Sequence, residues 1–349
     1  MKNNKEVTIY DIANELKVSP STVSRALKDH SSIGKEMIKA VKKLALEKGY
    51  QPNHLAASLR RNRTHTIGVM ISWVNRPFIS SLISGVEEVA NKADFNVIIS
   101  QSHDSFNNEV INAKALYNSR ISGLIVSLAM QTTSYDHFTP YINAGLPIVF
   151  VDRVSEVINT NRVIIDNFAA GFTATKHLIE QGCRRIAHLA GAQHRNVYRD
   201  RLNGYIEALK HNNLPIDENL IVYGQILNAE EGQKLTHHLM NLPVPPDAIF
   251  SANDTAAVSA IQYAKQHGIV IPEQLAVVGF NNDPISLIID PQLSTIAHPA
   301  TEMGKIAATQ IINHQTQPES VAYETVVLKT ELIVRESSLK IKKLTPSLV

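Results

Sequence analysis

The chain has 349 residues, 44% of them hydrophobic and 19% charged, with 34 Lys+Arg against 32 Asp+Glu for a net charge of +2. That length points to two or three compact units, and so ordinary a balance excludes disordered, collagen-like and coiled-coil classes. The near-neutrality is a cancellation. Residues 1–63 hold thirteen bases against six acids, a net of +7, while the remaining 286 residues hold 21 bases and 26 acids, a net of −5. A small basic head on a larger, mildly acidic body is the layout of a nucleic-acid-binding module joined to something else, with a solvated basic helix surface as the plainer reading.

Three short helices are predicted in the head. Thr8-Ile9-Tyr10-Asp11 resembles an N-cap with an acid in the first turn, and Ile9, Ile12, Ala13 and Leu16 recur at helical spacing. Ser19 followed by Pro20 is a second N-cap with proline at the first helical position, and Val23, Ala26 and Leu27 give that helix an apolar face. A third helix is expected from about Gly34 to Lys48, burying Ile38, Val41, Leu44 and Ala45 and ending at Gly49. Two short helices joined by Lys17-Val18-Ser19, with a third behind them, make a helix-turn-helix. Its second helix leaves Pro20, Ser21, Thr22, Ser24 and Arg25 facing outward. Hydroxyls at a helix N-terminus suit phosphate oxygens, and Arg25 can offer two donors to a guanine edge.

Residues 50–61 follow, with space for at most two turns of helix, an outward Leu59 and terminal arginines. Such a segment can fold on DNA and wedge its leucine into the minor groove; an ordinary linker is the alternative. From Thr66 the pattern changes to short apolar strands alternating with amphipathic helices. Strands are expected at 67–72, 96–100, 123–128, 147–151, 162–165, 185–190, 220–223, 248–251 and 275–279, with helix-length stretches between them such as 78–92, 168–181, 199–212 and 255–267. This alternation implies βαβ units in two doubly wound lobes, with a ligand at the carboxyl ends of the strands. Polar clusters stand at five of those ends. They are Ser72-Trp73 up to Phe78, Asp152-Arg153, Gly191 up to Arg201, Ala252-Asn253-Asp254, and Phe280 up to Asp283. Together they describe a polar cleft whose arginines can grip carboxylates, phosphates or hydroxyls, although each alone reads as a loop or a helix cap. Asp254 is a candidate cap, and Trp73 is either a wall for a sugar or base or simple packing.

The run Thr8-Ile9-Tyr10-Asp11-Ile12-Ala13, then Val18 to Leu27, Gly49 to Asn53, Leu55 to Leu59 and Ile67-Gly68-Val69 resembles the headpiece and hinge of the lactose/purine-repressor (LacI/GalR) family. The body is similar to the same family's effector-binding core, which is like the periplasmic sugar-binding proteins. Ile165–Gly171, Arg199–Tyr205, Ser251–Ala257 and Val277–Asp283 stand at its core motifs. The likeness covers residues 6–336. It implies that Pro20, Ser21 and Arg25 face bases, that Ser19, Thr22, Ser24 and Asn53 touch the DNA backbone beside Thr8, and that Leu59 intercalates. It also implies effector contacts from Phe78, Ile79, Asp152, Arg195, Val197, Arg201, Ile226, Asn253 and Asn281, to which the strand-end reading adds Trp73 and Arg153. Three positions depart from the pattern. Ala57 stands where many relatives carry arginine, Asn281 where many carry aspartate, and Ile226 where an aromatic is common.

The expected fold is an N-terminal all-α helix-turn-helix headpiece (1–50), a hinge (51–63) and an α/β core of two doubly wound parallel-sheet lobes (64–340), before a tail (341–349). The first lobe is expected at 64–162 plus 294–325 and the second at 163–293 plus 326–340. The tail shows no heptads, so a homodimer is expected rather than a tetramer. The resulting function is a repressor that binds a palindromic DNA operator under the control of a sugar or sugar derivative. A solute-binding protein is the alternative, which the basic head disfavours. An enzyme is not supported, since GxGxxG after a strand, GxxxxGK[ST], HExxH and GxSxG are all absent. No cofactor, metal or catalytic residue is expected. One cysteine, Cys183, excludes an internal disulfide and CxxC zinc spacing. No run of about 18 apolar residues is present and the start lacks a signal peptide's apolar stretch, so a cytoplasmic location is expected.

Overall fold

The computed structural model describes residues 7–50, 64–316 and 323–340. The chain divides into two units at residue 64. In the first, α1 (Ile9–Glu15), α2 (Pro20–Leu27) and α3 (Lys35–Glu47) close over Ile12, Ala13, Val23, Ala26, Val41 and Ala45. The turn between α1 and α2 is tight because Lys17 takes φ 53° and the Val18 amide returns to the Ala13 carbonyl at 2.9 Å. Gly49, at φ 63°, ends α3 and lets the Tyr50 amide reach the Ala45 carbonyl at 2.8 Å. Ile38 and Leu44, expected in the core, are only half-buried.

The second unit holds two six-stranded sheets. One runs in the order β11-β5-β4-β3-β1-β2, the other β12-β10-β9-β8-β6-β7. In the first sheet β1 (Thr66–Ile71), β2 (Asn96–Gln101), β3 (Gly123–Val126), β4 (Ile148–Val151), β5 (Asn161–Ile165) and β11 (Thr325–Leu328) are all parallel. The second joins β6 (Ile186–Ala190), β7 (Ile221–Tyr223), β8 (Ala248–Ser251), β9 (Ala276–Asn281) and β10 (Ser294–Ala297), with β12 (Glu331–Ile333) antiparallel at one edge. The helices are α4 (Pro77–Lys92), α5 (Phe106–Asn118), α6 (Thr139–Asn143), α7 (Asn167–Glu180), α8 (Asn196–His211), α9 (Ala229–Met240), α10 (Asp254–Gln266), α11 (Ile285–Ile288) and α12 (Ala300–Thr316).

The lobe boundaries differ from the expected ones. β5 continues in the first sheet through Ile165, past residue 162, because Ile165 registers with Leu328 of β11. β10 belongs to the second sheet, since Ser294 registers with Val278 of β9, so residues 294–297 leave the first lobe. β11 then returns to the first sheet instead of opening the second lobe at 326. The nine expected strands all form, with ends shifted by a residue or two, and β10, β11 and β12 are additions.

Each lobe contains one close helix crossing built on two glycines. In the first, α4 packs on α12, and a Cβ at Gly85 or Gly304 would collide with the Thr301 or Leu82 carbonyl. In the second, α7 packs on α8, and a Cβ at Gly171 or Gly204 would collide with the Arg201 or Phe168 carbonyl. The obstacles are backbone atoms, which cannot swing aside. Gly204→Ala is therefore expected to lower stability by about 1–3 kcal/mol through overpacking, although alanine favours helix by about 1 kcal/mol. Equilibrium denaturation checks this, and a stabilised variant would show that the helices slide apart freely.

Candidate functional site

Two regions carry the candidate chemistry. In the headpiece, the Ser19 hydroxyl caps α2 by accepting from the Thr22 amide at 3.1 Å, and it lies 2.7 Å from the Ser21 hydroxyl and 2.8 Å from that of Thr22. Thr8 forms a reciprocal cap with Asp11, donating from its amide at 2.7 Å and from its hydroxyl at 2.6 Å. Thr8 and Ser19 therefore fix the helix starts. Arg25 is exposed, and among the described residues no hydrogen bond or ion pair engages its guanidinium. Pro20 and Ser21 occupy the first turn of the same helix, and Ser24 is half-buried. Asn53, Ala57 and Leu59 lie outside the described residues.

The second region is the cleft at the carboxyl ends of the strands. Phe78, Ile79, Asp152, Arg153, Val197, Arg201, Asn253 and Asn281 all line it. The free volume between them is about 70 Å³, well under the roughly 300 Å³ at which ligand pockets begin. A wider cavity of about 360 Å³ adjoins it, sharing Pro77, Phe78, Asn281, Asp283 and His298.

The polar groups differ in how committed they are. Arg153 is buried and locked, its Nη1 donating to Asp104 at 2.6 Å. Asn253 caps α10, accepting from the Ala256 amide at 2.8 Å, while its Nδ2 donates to the Leu227 carbonyl at 3.0 Å. Asp254, offered as the cap, is instead the first residue of that helix. Its carboxylate accepts from the Asp283 amide and the Thr295 hydroxyl, both at 2.7 Å, and burial raises it to about 7. Arg201 is different. Its Nε donates to Asn167 Oδ1 and its Nη1 to the Ala252 carbonyl, both at 2.8 Å, and its Cζ lies 3.5 Å from the centre of the Phe280 ring. No carboxylate lies within ion-pair distance of it among the described residues, and burial lowers it to about 10. It thus offers a desolvated cation held flat on an aromatic face. Asp152, half-buried beside it, is pushed up by desolvation against the pull of Arg153 and Arg201. Asp283 is raised to about 6 by burial, against the hydrogen bond from Asn281 and the charge of Arg76.

Three expected contacts lie outside this cleft lining. Trp73 rests on His103, ring centres 4.5 Å apart, which is the packing alternative. Ile226 is 39% exposed on a loop whose amides are gathered by the Glu231 carboxylate. Arg195 is fully buried, beside Tyr135, Glu109 and Arg153. Conversely, Tyr198, Asp283 and His298 line the cleft without having been proposed as contacts. His298 stacks on Phe78 at 4.2 Å and meets Phe280 edge-on at 6.0 Å, and neither ring nitrogen has a hydrogen-bond partner. Among the described residues, no cluster of three His, Cys, Asp or Glu could hold a metal, and no helix is long and apolar enough to cross a membrane.

Residues 8–53 match the family profile described as bacterial regulatory proteins, lacI family, and residues 175–338 match a periplasmic binding protein-like domain. Over 331 residues the chain is 32% identical to the NTD biosynthesis operon regulator NtdR of Bacillus subtilis, covering 95% of this chain and 99% of that one. The chain belongs to the lacI family of bacterial regulators. It is also 31% identical to the transcriptional repressor CytR of Escherichia coli over 97% of this chain and 98% of that one. A lac repressor dimer solved with operator and an anti-inducer superposes with a TM-score of 0.85 at 25% identity, covering 96% of this chain and all of that one. A complex of the regulator CelR with cellobiose gives 0.71 at 28% identity, covering 95% and all of that chain.

Two buried imidazoles are expected to make stability pH-dependent. His298 is held well below its ordinary value by burial and by Arg201, and His188, stacked on Phe250 in the second lobe, is held at about 4 by burial. A histidine kept neutral in the fold contributes stability that is complete above pH 6.5. It is lost on acidification at up to about 1.4 kcal/mol per pH unit. His298→Phe gives up no hydrogen bond, so its stability is expected to fall less steeply from pH 6.5 to 5 than that of the parent. Denaturation at the two pH values measures this, and parallel profiles would place the His298 ring in contact with water.

Proposed function

We propose that this family member is a dimeric repressor that reads a near-palindromic operator through α2 of two headpieces and releases or tightens it when a sugar or sugar derivative enters the cleft. The observation that carries the effector reading is the site around Arg201. A buried cation without an acidic partner faces Asp152, Asp283 and Asn281 between apolar walls of Phe78, Ile79 and Val197. That mixture of donors, acceptors and apolar faces suits a hydroxylated ring. The names of similar proteins agree with it, including the ribose operon repressor of Haemophilus influenzae, at 29% identity over 96% of this chain and 99% of that one. On this reading the protein works in the cytoplasm, where its DNA is, as a regulator and not an enzyme. The solute-binding alternative leaves the headpiece at 8–53 without a purpose.

Selection of bound fragments from genomic DNA, followed by gel shift, tests the DNA half. The absence of any sequence-preferring complex would overturn it. A thermal-shift screen over sugars, sugar acids, phosphosugars and nucleosides tests the effector half, because a ligand at 100 times its Kd adds about 2.7 kcal/mol. Arg25→Ala is expected to weaken operator binding by about 1–3 kcal/mol and relax preference at one base pair. Equal loss on random DNA would assign Arg25 to phosphate alone. Arg201→Ala is expected to abolish the effector response while operator binding persists, and unchanged effector affinity would remove Arg201 from the site.

A further inference from the structure

On one rim of the cleft, residues 194–199 of the second lobe grip the first. His194 Nε2 lies 2.6 Å from the Met130 carbonyl oxygen. Asn196 bonds in both directions, its Nδ2 donating to the Asp152 carbonyl at 3.0 Å and its Oδ1 accepting from the Val154 amide at 3.1 Å. One side-chain amide thus does what a neighbouring strand would do, holding the backbone on either side of Arg153. It also secures Asp152 at φ 60°, a left-handed conformation uncommon for any residue but glycine. One turn along α8, Arg199 forks onto Glu156 at 2.7 and 3.0 Å.

One residue of this segment both joins the grip and strains it. Arg195 is 1% exposed; Tyr135 of the first lobe hydrogen-bonds to it and Glu109 attracts it, but its Nε and Nη2 have no hydrogen-bond partner. Burying unsatisfied donors of a charged group is unfavourable, and parting the lobes would return them to water. Favourable bonds and a buried, under-satisfied cation therefore sit side by side on one short segment.

We propose that residues 194–199 form an interlobe latch whose grip is offset by the burial of Arg195, leaving closed and open lobe arrangements close in free energy. Asn196 is its positioning residue, holding the backbone at Asp152 and Val154 only when the lobes are together. The significance of the latch rests on the reading that lobe orientation carries the signal, but its existence is measurable without effector or DNA.

The test is hydrogen exchange on the full chain without ligand, following the Val154 amide and the 130–136 segment, with thermal unfolding to verify the fold. Asn196→Ala is expected to speed exchange at Val154 by about fivefold, as loss of a local hydrogen bond does. Arg195→Met, which keeps the bulk and removes the charge, is expected to slow exchange in both segments. Arg199→Glu should speed it, and pairing that change with Glu156→Arg should restore the parent rate. Parent-like exchange in Asn196→Ala, faster exchange in Arg195→Met, or a charge swap that fails to restore the rate would each overturn the latch. Failure of the operator or effector experiments above would leave these rates unaffected, so the two readings fail separately.

Discussion

Three crossings of the chain between the lobes govern the rest of the molecule. The chain leaves the first sheet after β5 at Ile165, leaves the second after β10 at Ala297, and leaves the first again after β11 at Leu328. All three departures are at carboxyl ends of strands, so the connections lie on the face where strand-end side chains gather. A ligand bound there touches both lobes beside the segments that connect them. His298 sits in the cleft for this reason: it is the first residue after β10, on the way to α12. Asp166, the first residue after β5, begins α7 by accepting from the Ala169 amide at 2.8 Å.

The electrostatics of the cleft follow from which charges are already paired. Arg153 and Asp104 neutralise one another inside the first lobe, so Arg153 contributes shape and backbone position more than free charge. Arg201 keeps its positive charge unpaired because its neighbours are an amide, a carbonyl and an aromatic ring. That difference separates a structural arginine from one able to hold a guest, although both line the same cavity. The same distinction applies to the asparagines. Asn253 has both ends of its amide engaged, whereas Asn281 bonds the carboxyl of Asp283 across a strand end that has left the extended conformation, at φ 117°.

Much of this architecture was readable from periodicity. Apolar strands such as Thr66–Ile71, buried along their whole length, and caps such as Ser19-Pro20 announce themselves because burial and capping select particular residues. Short edge strands do not. β12 has three residues and β11 four, with half-exposed patterns that any loop could show. Missing β10 hid His298, since a strand end goes unread when the strand does. Other helices carry the same kind of signal: Ser105 and Asn228 accept from amides three residues on, at the starts of α5 and α9. Commitment of side chains was illegible for a different reason. Arg195 joins Arg199 and Arg201 in one run of sequence, but only the fold decides that Arg195 is buried, Arg199 pairs with Glu156 and Arg201 faces the cleft.

The paired glycine crossings have an evolutionary consequence. Gly85 with Gly304, and Gly171 with Gly204, bring the helices of each lobe to backbone contact through positions where no other side chain fits. Four residues outside the cleft lining thereby set how closely those helices pack. Positions around the cleft are free to drift in a scaffold that does not deform when they do. Point substitution at cleft positions such as Asn281 or His298 can thus change the lining while leaving the packing within each lobe unchanged.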